Sequence, residues 1–302
     1  MASWQAHCAN AVVRMLMRHE TNASERTMAL MARFATGTPL AFQWLRTFGV
    51  KIDRVRAERL HGEWQVPRHA ERGTILYFHG GGYIAGSAAG YRPLTVGLAR
   101  LARRRVFSLD YRRAPEHRFP AALDDAVLAY RWLLDDQGVS PRALALAGDS
   151  AGGGLVIATL LRLRDLGVPL PAAGVCFCPW TDLAATGESL RTNNGRCPSF
   201  HPATIAKYAR IYLGDASDRD PYASPVFGNL AGLPPLLLQA ASNELLVDDA
   251  RRIHDSVQKA GGISRLEIFD DLFHDWPILD GFLPEARQAL RQAAAFLDEH
   301  AC

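Results

Sequence analysis

One serine stands in a pattern that suits nucleophilic chemistry. Ser150 lies between Gly148 and Gly152 in the run Gly-Asp-Ser-Ala-Gly, which follows an apolar stretch and precedes a helical pattern. Glycine on both sides permits a sharp turn from strand to helix, and such a turn leaves the serine hydroxyl exposed. A Gly-rich turn without chemistry would give the same short match, so the pattern needs support from elsewhere in the chain.

A second motif upstream supplies that support. His79 is followed by three consecutive glycines, Gly80, Gly81 and Gly82, directly after an apolar run that ends at Phe78. Consecutive glycines let backbone N–H groups point into a pocket, where they can stabilise an oxyanion. Two such motifs, each at the end of a predicted strand, favour acyl transfer over a purely structural turn.

With a third block, Tyr111 to Ala122, the chain resembles the bacterial hormone-sensitive-lipase family of esterases. That block reads Tyr-Arg-Arg-Ala-Pro-Glu-His-Arg-Phe-Pro-Ala-Ala, and the resemblance extends from about residue 50 to the C-terminus. It implies an α/β-hydrolase fold, in which a mostly parallel central sheet is flanked by helices and carries a helical cap. It also implies a serine carboxylesterase for uncharged esters of short to medium acyl chains, with the N–H groups of Gly81, Gly82 and Ala151 as the oxyanion hole. Neither a metal nor an organic cofactor is needed.

A serine hydroxyl is a weak nucleophile until a base takes its proton, so a histidine is required. Three histidines follow Ser150 beyond the Gly- and Pro-rich region: His254, His274 and His300. His254 falls inside a helical pattern and His300 lies next to the C-terminus. His274 lies in a loop after the last predicted strand, where the family places its histidine, and we expect it to be the base.

Two residues compete for the role of the acid that orients this histidine. The family commonly has Asp-Pro-Leu after the strand before the histidine strand, whereas this chain reads Asn-Glu-Leu from Asn243. Glu244 stands at the matching position, and glutamate serves this role in some α/β-hydrolases. Asp248, one helical turn further on, is expected to face solvent or to cap a helix. We therefore expect Glu244 to complete the triad and keep Asp248 as the alternative.

Beyond about residue 50, short apolar runs alternate with longer helical patterns, which is typical of parallel βαβ units. This predicts an α/β fold with helices on both faces of a mostly parallel sheet. The predicted strands are Thr74 to Phe78, Val106 to Leu109, Ala143 to Ala147, Gly174 to Phe177, Pro235 to Ala240 and Arg265 to Phe269. The predicted helices are Asp124 to Leu134, Gly153 to Leu166, Pro202 to Tyr212, Val247 to Ala260 and Glu285 to Glu299.

Two segments depart from this alternation. Residues 1–46 have an amphipathic helical pattern, and residues 183–226 form an insertion that is long for a loop of an α/β unit. We predict that these segments form a helical cap on a catalytic domain made of residues 47–182 and 227–302. Some of their apolar side chains could wall an acyl pocket or simply belong to the core: Phe34, Phe42, Trp44, Tyr212 and Leu213.

Composition excludes several other classes of protein. The 302 residues are 48% hydrophobic and 22% charged, which is near the average for soluble globular proteins. The net charge of +3 comes from scattered arginines, so a nucleic-acid partner is not expected. The densest run, Arg103 to Arg105, is interpreted as a solvated helix end.

Cysteine usage and hydropathy indicate the compartment. The five cysteines are odd in number and lack Cys-x-x-Cys spacing, which argues against a disulfide framework and against a zinc site. Free thiols suit a reducing compartment. We find neither a secretion signal nor an apolar run of about 18 residues, and we expect a cytoplasmic protein without a membrane span.

The expected partner is a small-molecule ester, and a homodimer is compatible with the sequence because two-fold homo-oligomers are common. Two other functions stay open. An amidase or peptidase would use the same triad and oxyanion hole. A non-catalytic small-molecule receptor, like the plant hormone receptors that resemble this family, would lack the catalytic histidine, which this chain retains at His274.

Overall fold

The computed structural model describes residues 2–18, 23–35, 40–57 and 60–301. An eight-stranded sheet lies at its centre, made of β1 Val50–Ala57, β2 Leu60–Pro67, β3 Thr74–Phe78, β4 Arg105–Leu109, β5 Leu144–Asp149, β6 Ala173–Phe177, β7 Leu236–Ala241 and β8 Ser264–Phe269. The spatial order is β1-β2-β4-β3-β5-β6-β7-β8. Strand β2 is antiparallel to β1 and β4, whereas β4, β3 and β5 to β8 are all parallel. The predicted α/β-hydrolase fold is confirmed.

The helices fill the connections and the N-terminal segment. Their bounds are α1 Trp4–Met17, α2 Glu25–Ala35, α3 Leu40–Thr47, α4 Arg92–Ala102, α5 Ala121–Asp135, α6 Ala151–Asp165, α7 Ser189–Thr192, α8 Pro202–Leu213, α9 Val247–Lys259 and α10 Pro284–His300. Each predicted strand and helix is found within three residues of its expected ends. No helix in the described ranges is both long and apolar enough to cross a bilayer.

The parallel strands are covered on both faces, which explains their continuous apolar sequences. In β3, Leu76 and Phe78 belong to a core that also contains buried side chains of α5, α6 and α9. The alternate residues Ile75 and Tyr77 belong to a second core with side chains of α4 and α10. Because successive side chains of a strand point to opposite faces, one five-residue strand contributes to both cores.

The strands β1 and β2 were not predicted, because polar residues mask their pattern. Strand β1 is an edge strand in which Lys51, Asp53 and two arginines lie among the apolar residues and break their alternation. Strand β2 buries Glu63 and Gln65, whose polarity argues against a core strand. Arg92 at the start of α4 donates to both carboxylate oxygens of Glu63, at 2.7 and 2.5 Å. This long-range ion pair, which sequence patterns do not reveal, makes the polar strand compatible with burial.

The interpretation of Arg103 to Arg105 as a solvated helix end is wrong for Arg104. This side chain is only 1% exposed. Its guanidinium group donates to the carbonyl oxygens of Arg72 at 2.5 Å, Leu297 at 3.1 Å and Ala301 at 2.5 Å. Arg104 thus satisfies the carbonyl group of Ala301, just past the end of α10, and is a second donor to Leu297 O, which also accepts the N–H of Ala301.

We predict that Arg104→Ala lowers the free energy of unfolding by about 3 kcal/mol, because buried carbonyl groups lose a charged donor and a cavity remains. Arg103→Ala is the matched control, since the Arg103 side chain is 47% exposed. Denaturant unfolding followed by circular dichroism measures the difference. Equal stabilities of the two variants would contradict the structural role of Arg104.

Candidate active site

Ser150 lies at the turn between β5 and α6, in a strained backbone conformation. Its φ of 51° and ψ of −120° are unfavourable for a residue with a Cβ atom. The N–H of Ser150 donates to Phe177 O at 2.8 Å, and the N–H of Trp180 donates to Ser150 O at 2.9 Å. Backbone hydrogen bonds to the end of β6 and to the segment after it therefore hold this turn in place.

The glycines on both sides of Ser150 are required by close backbone contacts. A Cβ atom on Gly152 would lie 2.0 Å from Phe78 O, and one on Gly148 would lie 2.4 Å from Gly152 O. Neither contact can be relieved by rotating a side chain, because all these atoms belong to the backbone. The Gly-x-Ser-x-Gly pattern is thus a packing requirement at this turn.

His274 and Glu244 form one hydrogen-bonded chain with Ser150. The loop after β8 places His274 Nε2 at 2.7 Å from Ser150 Oγ. His274 Nδ1 lies 2.5 Å from Glu244 Oε2, and Glu244 Oε1 accepts the N–H of Ala241 at 2.8 Å. Ser150, His274 and Glu244 are all buried.

The electrostatic surroundings of His274 favour its protonated form. Burial by itself disfavours the imidazolium, but the carboxylates of Asp275 and Glu244 more than offset this and raise the pKa of His274 to about 9. Only the deprotonated fraction of His274 can accept the serine proton, so this raised pKa places the gain of base function above neutral pH.

The structure brings Glu244, and not Asp248, to the histidine. Asp248 accepts the N–H of Ser189 at 2.7 Å and forms an ion pair with Arg251 at 3.1 Å. It lies in the first turn of α9, where an acidic side chain also interacts favourably with the helix dipole.

His79 orders the loop that carries the three glycines. Its ring is fully buried and stacks on Tyr111 at a centroid distance of 4.3 Å. His79 Nδ1 lies 2.7 Å from Gly80 O, so this nitrogen carries the proton and donates it. Burial lowers the pKa of His79 to about 4, which keeps the ring neutral. The geometry is that of a structural residue in this loop.

The predicted oxyanion donors lie at the ends of adjacent parallel strands. Gly81 and Gly82 follow β3, and Ala151 opens α6, with Ser150 between it and the end of β5. As the first residue of a helix, Ala151 has an N–H group without an intrahelical acceptor. Gly81 has a φ of 111°, and a Cβ atom there would lie 2.5 Å from Ala85 O, so only glycine fits.

Residues 183–226 supply side chains around the site that sequence reasoning missed. The N–H of His274 donates to Ser199 Oγ at 3.2 Å, and the Phe200 ring lies 5.4 Å from the His274 ring. Asn193 Nδ2 donates to Glu244 O at 2.9 Å. Tyr208 of α8 packs over the glycine loop, since a Cβ atom on Gly82 would lie 2.6 Å from its ring. These contacts join positions far apart in the chain, which local patterns do not indicate.

Of the five side chains that the sequence suggests as walls of an acyl pocket, the structure describes two. Tyr212 is buried and stacks on Tyr83 at 3.8 Å, and Leu213 is also buried in the core. The side chains of Phe34, Phe42 and Trp44 lie outside the part of the chain that the structure describes.

One cluster of potential metal-binding atoms overlaps the site. Cys178 Sγ and one atom each of Glu244 and His274 lie within 4.8 Å of one another. The contact of 2.5 Å between His274 Nδ1 and Glu244 Oε2 is a hydrogen-bond distance, and it leaves no room for a cation between these two groups. The geometry therefore fits proton transfer better than metal binding.

Comparisons with known proteins agree with the fold and the motifs. Residues 75–278 match a family described by the alpha/beta hydrolase fold. An acetyl-hydrolase of Streptomyces hygroscopicus is 46% identical over 245 residues, which cover 81% of this chain and 82% of the relative. An esterase of Acinetobacter venetianus is 32% identical over 248 residues, or 82% of each chain. The crystal structure of an esterase from the bacterial hormone-sensitive lipase family is 39% identical, with a TM-score of 0.88 and full coverage of both chains. This chain therefore belongs to the α/β-hydrolase family, with the esterases of the bacterial hormone-sensitive-lipase type, and it is a carboxylic ester hydrolase.

Proposed function

We propose that the chain is a serine carboxylesterase with Ser150 as nucleophile, His274 as general base and Glu244 as the acid that orients the histidine. The observation that carries this assignment is the continuous hydrogen-bonded chain from Glu244 through His274 to Ser150. Its order, serine then acid then histidine along the sequence, is that of α/β-hydrolases.

The reaction proceeds in two halves. Ser150 Oγ attacks the ester carbonyl while His274 Nε2 takes the hydroxyl proton, and the tetrahedral oxyanion is held by the N–H groups of Gly81, Gly82 and Ala151. His274 then gives this proton to the leaving alcohol, which leaves an acyl group on Ser150. Water then attacks the acyl carbon while His274 Nε2 takes its proton. His274 returns this proton to Ser150 Oγ as the bond to the acyl group breaks and the carboxylic acid leaves. Glu244 stays ionised and stabilises the imidazolium in both halves.

The substrate of the proposed esterase is an ester with a short to medium acyl chain. Tyr208 packs against Gly82, and Phe200 lies beside His274, so aromatic side chains restrict the space next to the reacting atoms. The naming of the Streptomyces relative as an acetyl-hydrolase supports a small acyl group. In this proposal residues 1–46 and 183–226 act as the cap, and the four described cysteines, all free thiols, fit a cytoplasmic enzyme.

The first prediction from this assignment concerns the triad. We expect Ser150→Ala and His274→Ala to lower kcat for p-nitrophenyl butyrate by roughly 10⁴-fold or more, and Glu244→Gln by about 10³- to 10⁴-fold. The matched control Asp248→Asn keeps its activity, because Asp248 points to Ser189 and Arg251. Thermal melting of each variant verifies that it is folded.

Two results would contradict the assignment. A loss in Asp248→Asn together with an active Glu244→Gln would move the acid to the other position. A folded wild type that cleaves a matched anilide but no ester would replace the proposed esterase by an amidase.

A second prediction concerns acyl-chain selection. Tyr208→Ala should raise the ratio of kcat/KM for p-nitrophenyl octanoate over acetate by about tenfold, because it removes a ring that lies against the glycine loop. Tyr222→Ala is the control from the same segment, since the Tyr222 hydroxyl donates to Asp165 at the end of α6. An unchanged ratio in Tyr208→Ala would show that Tyr208 does not limit the acyl site.

A further inference from the structure

Two aspartates that the proposed mechanism does not use lie next to its reacting groups. Asp149 directly precedes Ser150 and is completely buried. Asp275 directly follows His274, and only 16% of its side chain is exposed. The first lies at the end of β5 and the second in the loop after β8. Buried carboxyl groups are costly unless they are paired or hydrogen-bonded, so their contacts need an explanation.

Each aspartate has one oxygen next to a polar group and one oxygen without a hydrogen-bond partner. Asp149 Oδ1 accepts the hydroxyl of Tyr77 at 2.6 Å, and Asp275 Oδ2 lies 3.4 Å from His274 Nε2. Asp149 Oδ2 and Asp275 Oδ1 are buried without a hydrogen-bond partner among the described residues. The two carboxyl groups also act on each other's pKa, since Asp275 raises that of Asp149 by charge repulsion and Asp149 lowers that of Asp275 as a hydrogen-bond partner.

A single proton between the two groups satisfies both free oxygens. Two ionised carboxylates side by side in a poorly hydrated site repel each other, whereas a carboxylic acid donates a hydrogen bond to its carboxylate neighbour. Burial raises the pKa of Asp149 well above its usual range and that of Asp275 to about 6. The other titratable groups that influence the pair are Tyr77, Tyr91, Tyr111, Cys178, Glu244 and His274, of which only His274 is a base.

We propose that Asp149 and Asp275 share one proton, and that the remaining negative charge acts on His274 from the side of Nε2. This inference rests on the proposed role of His274 as the base. Glu244 stabilises the imidazolium through Nδ1, and the aspartate pair adds a second negative charge near Nε2, the atom that exchanges its proton with Ser150. Because the pair holds a proton, it contributes one negative charge instead of two. Asp275 is a positioning residue, and the shared proton joins the nucleophile turn to the histidine loop.

The substitution Asp275→Asn tests this arrangement with little risk to folding. Asp275 has a φ of 64°, a left-handed conformation that asparagine also tolerates. The amide of the new side chain can donate a hydrogen bond to Asp149 Oδ2 where the shared proton stood, but it carries no charge. The matched control is Asp271→Asn, because Asp271 is exposed, lies in the same loop and also has a positive φ.

The first readout is the pH dependence of kcat/KM on p-nitrophenyl butyrate. His274 acts as a base only when it is deprotonated, so activity rises with pH through its pKa. The substitution moves the negative charge of the pair from Asp275 to Asp149, which raises the pKa of His274 less than Asp275 does. We therefore expect the rising limb of Asp275→Asn to move to lower pH, by less than about one unit. Asp271→Asn should keep the wild-type limb. A lower kcat with an unmoved limb would overturn the electrostatic role of the pair.

The second readout does not depend on catalysis. Infrared difference spectra between wild type and Asp275→Asn at neutral pH should show a carboxylic-acid C=O band in the wild type that shifts in D₂O. Asp249, whose pKa burial raises to about 8, contributes to both proteins and cancels in the difference. Absence of the band would overturn the shared proton. A band in a protein that hydrolyses no ester would leave the proton-sharing pair intact and contradict the proposed esterase.

Discussion

The close approach of α6 to the end of β3 is the constraint on which the site depends. With a hydrogen atom in place of a side chain at Gly152, the first turn of α6 lies against Phe78 O. The glycine loop begins directly after Phe78, and Ser150 and Ala151 stand directly before Gly152. One backbone contact therefore fixes Ser150, the proposed nucleophile, relative to all the proposed oxyanion donors. Such preorganised donors stabilise a developing charge without reorganisation during the reaction.

The other side chains of the site come from strand ends that lie at one edge of the sheet. Parallel strands bring their carboxyl ends together, so loops that are far apart in sequence meet above β3, β5, β7 and β8. Asp149, Glu244 and His274 all come from these ends and all are buried. Three ionised carboxylates around the imidazole of His274, those of Asp149, Glu244 and Asp275, would repel one another. Hydrogen bonds from Tyr77 and Ala241, and a proton held within the pair, reduce that cost.

Sequence reasoning was accurate where local pattern and physical requirement coincide. The parallel strands are continuous apolar runs because helices cover both faces, and their predicted ends differ from the observed ends by at most two residues. Ser150, Glu244 and His274 were each placed after a predicted strand, and the structure brings them into contact.

Sequence reasoning failed where distant parts of the chain form the surroundings of a residue. Arg104 is buried only because the end of α10 returns to it, and β2 buries Glu63 only because α4 supplies Arg92. Phe200 and Tyr208 reach the site through the fold of residues 183–226, for which the sequence predicts one helix and no contacts. The sequence did not distinguish Asp275 from any other loop aspartate, because its chemistry depends on the orphaned oxygen of Asp149.

The glutamate at position 244 shows how this chain departs from its family without losing the geometry. A glutamate side chain is one methylene longer than aspartate, so its carboxylate has one more rotatable bond to restrain. Two hydrogen bonds provide that restraint. The N–H of Ala241 donates to Glu244 Oε1, and Asn193 Nδ2 donates to the backbone oxygen of Glu244. Asn193 belongs to residues 183–226, which also contribute Ser199 to the backbone of His274. The segment proposed as part of the cap thus supports the proposed acid and base as well as bordering the site. Its packing and the hydrogen-bond geometry of Glu244, His274 and Ser150 depend on each other.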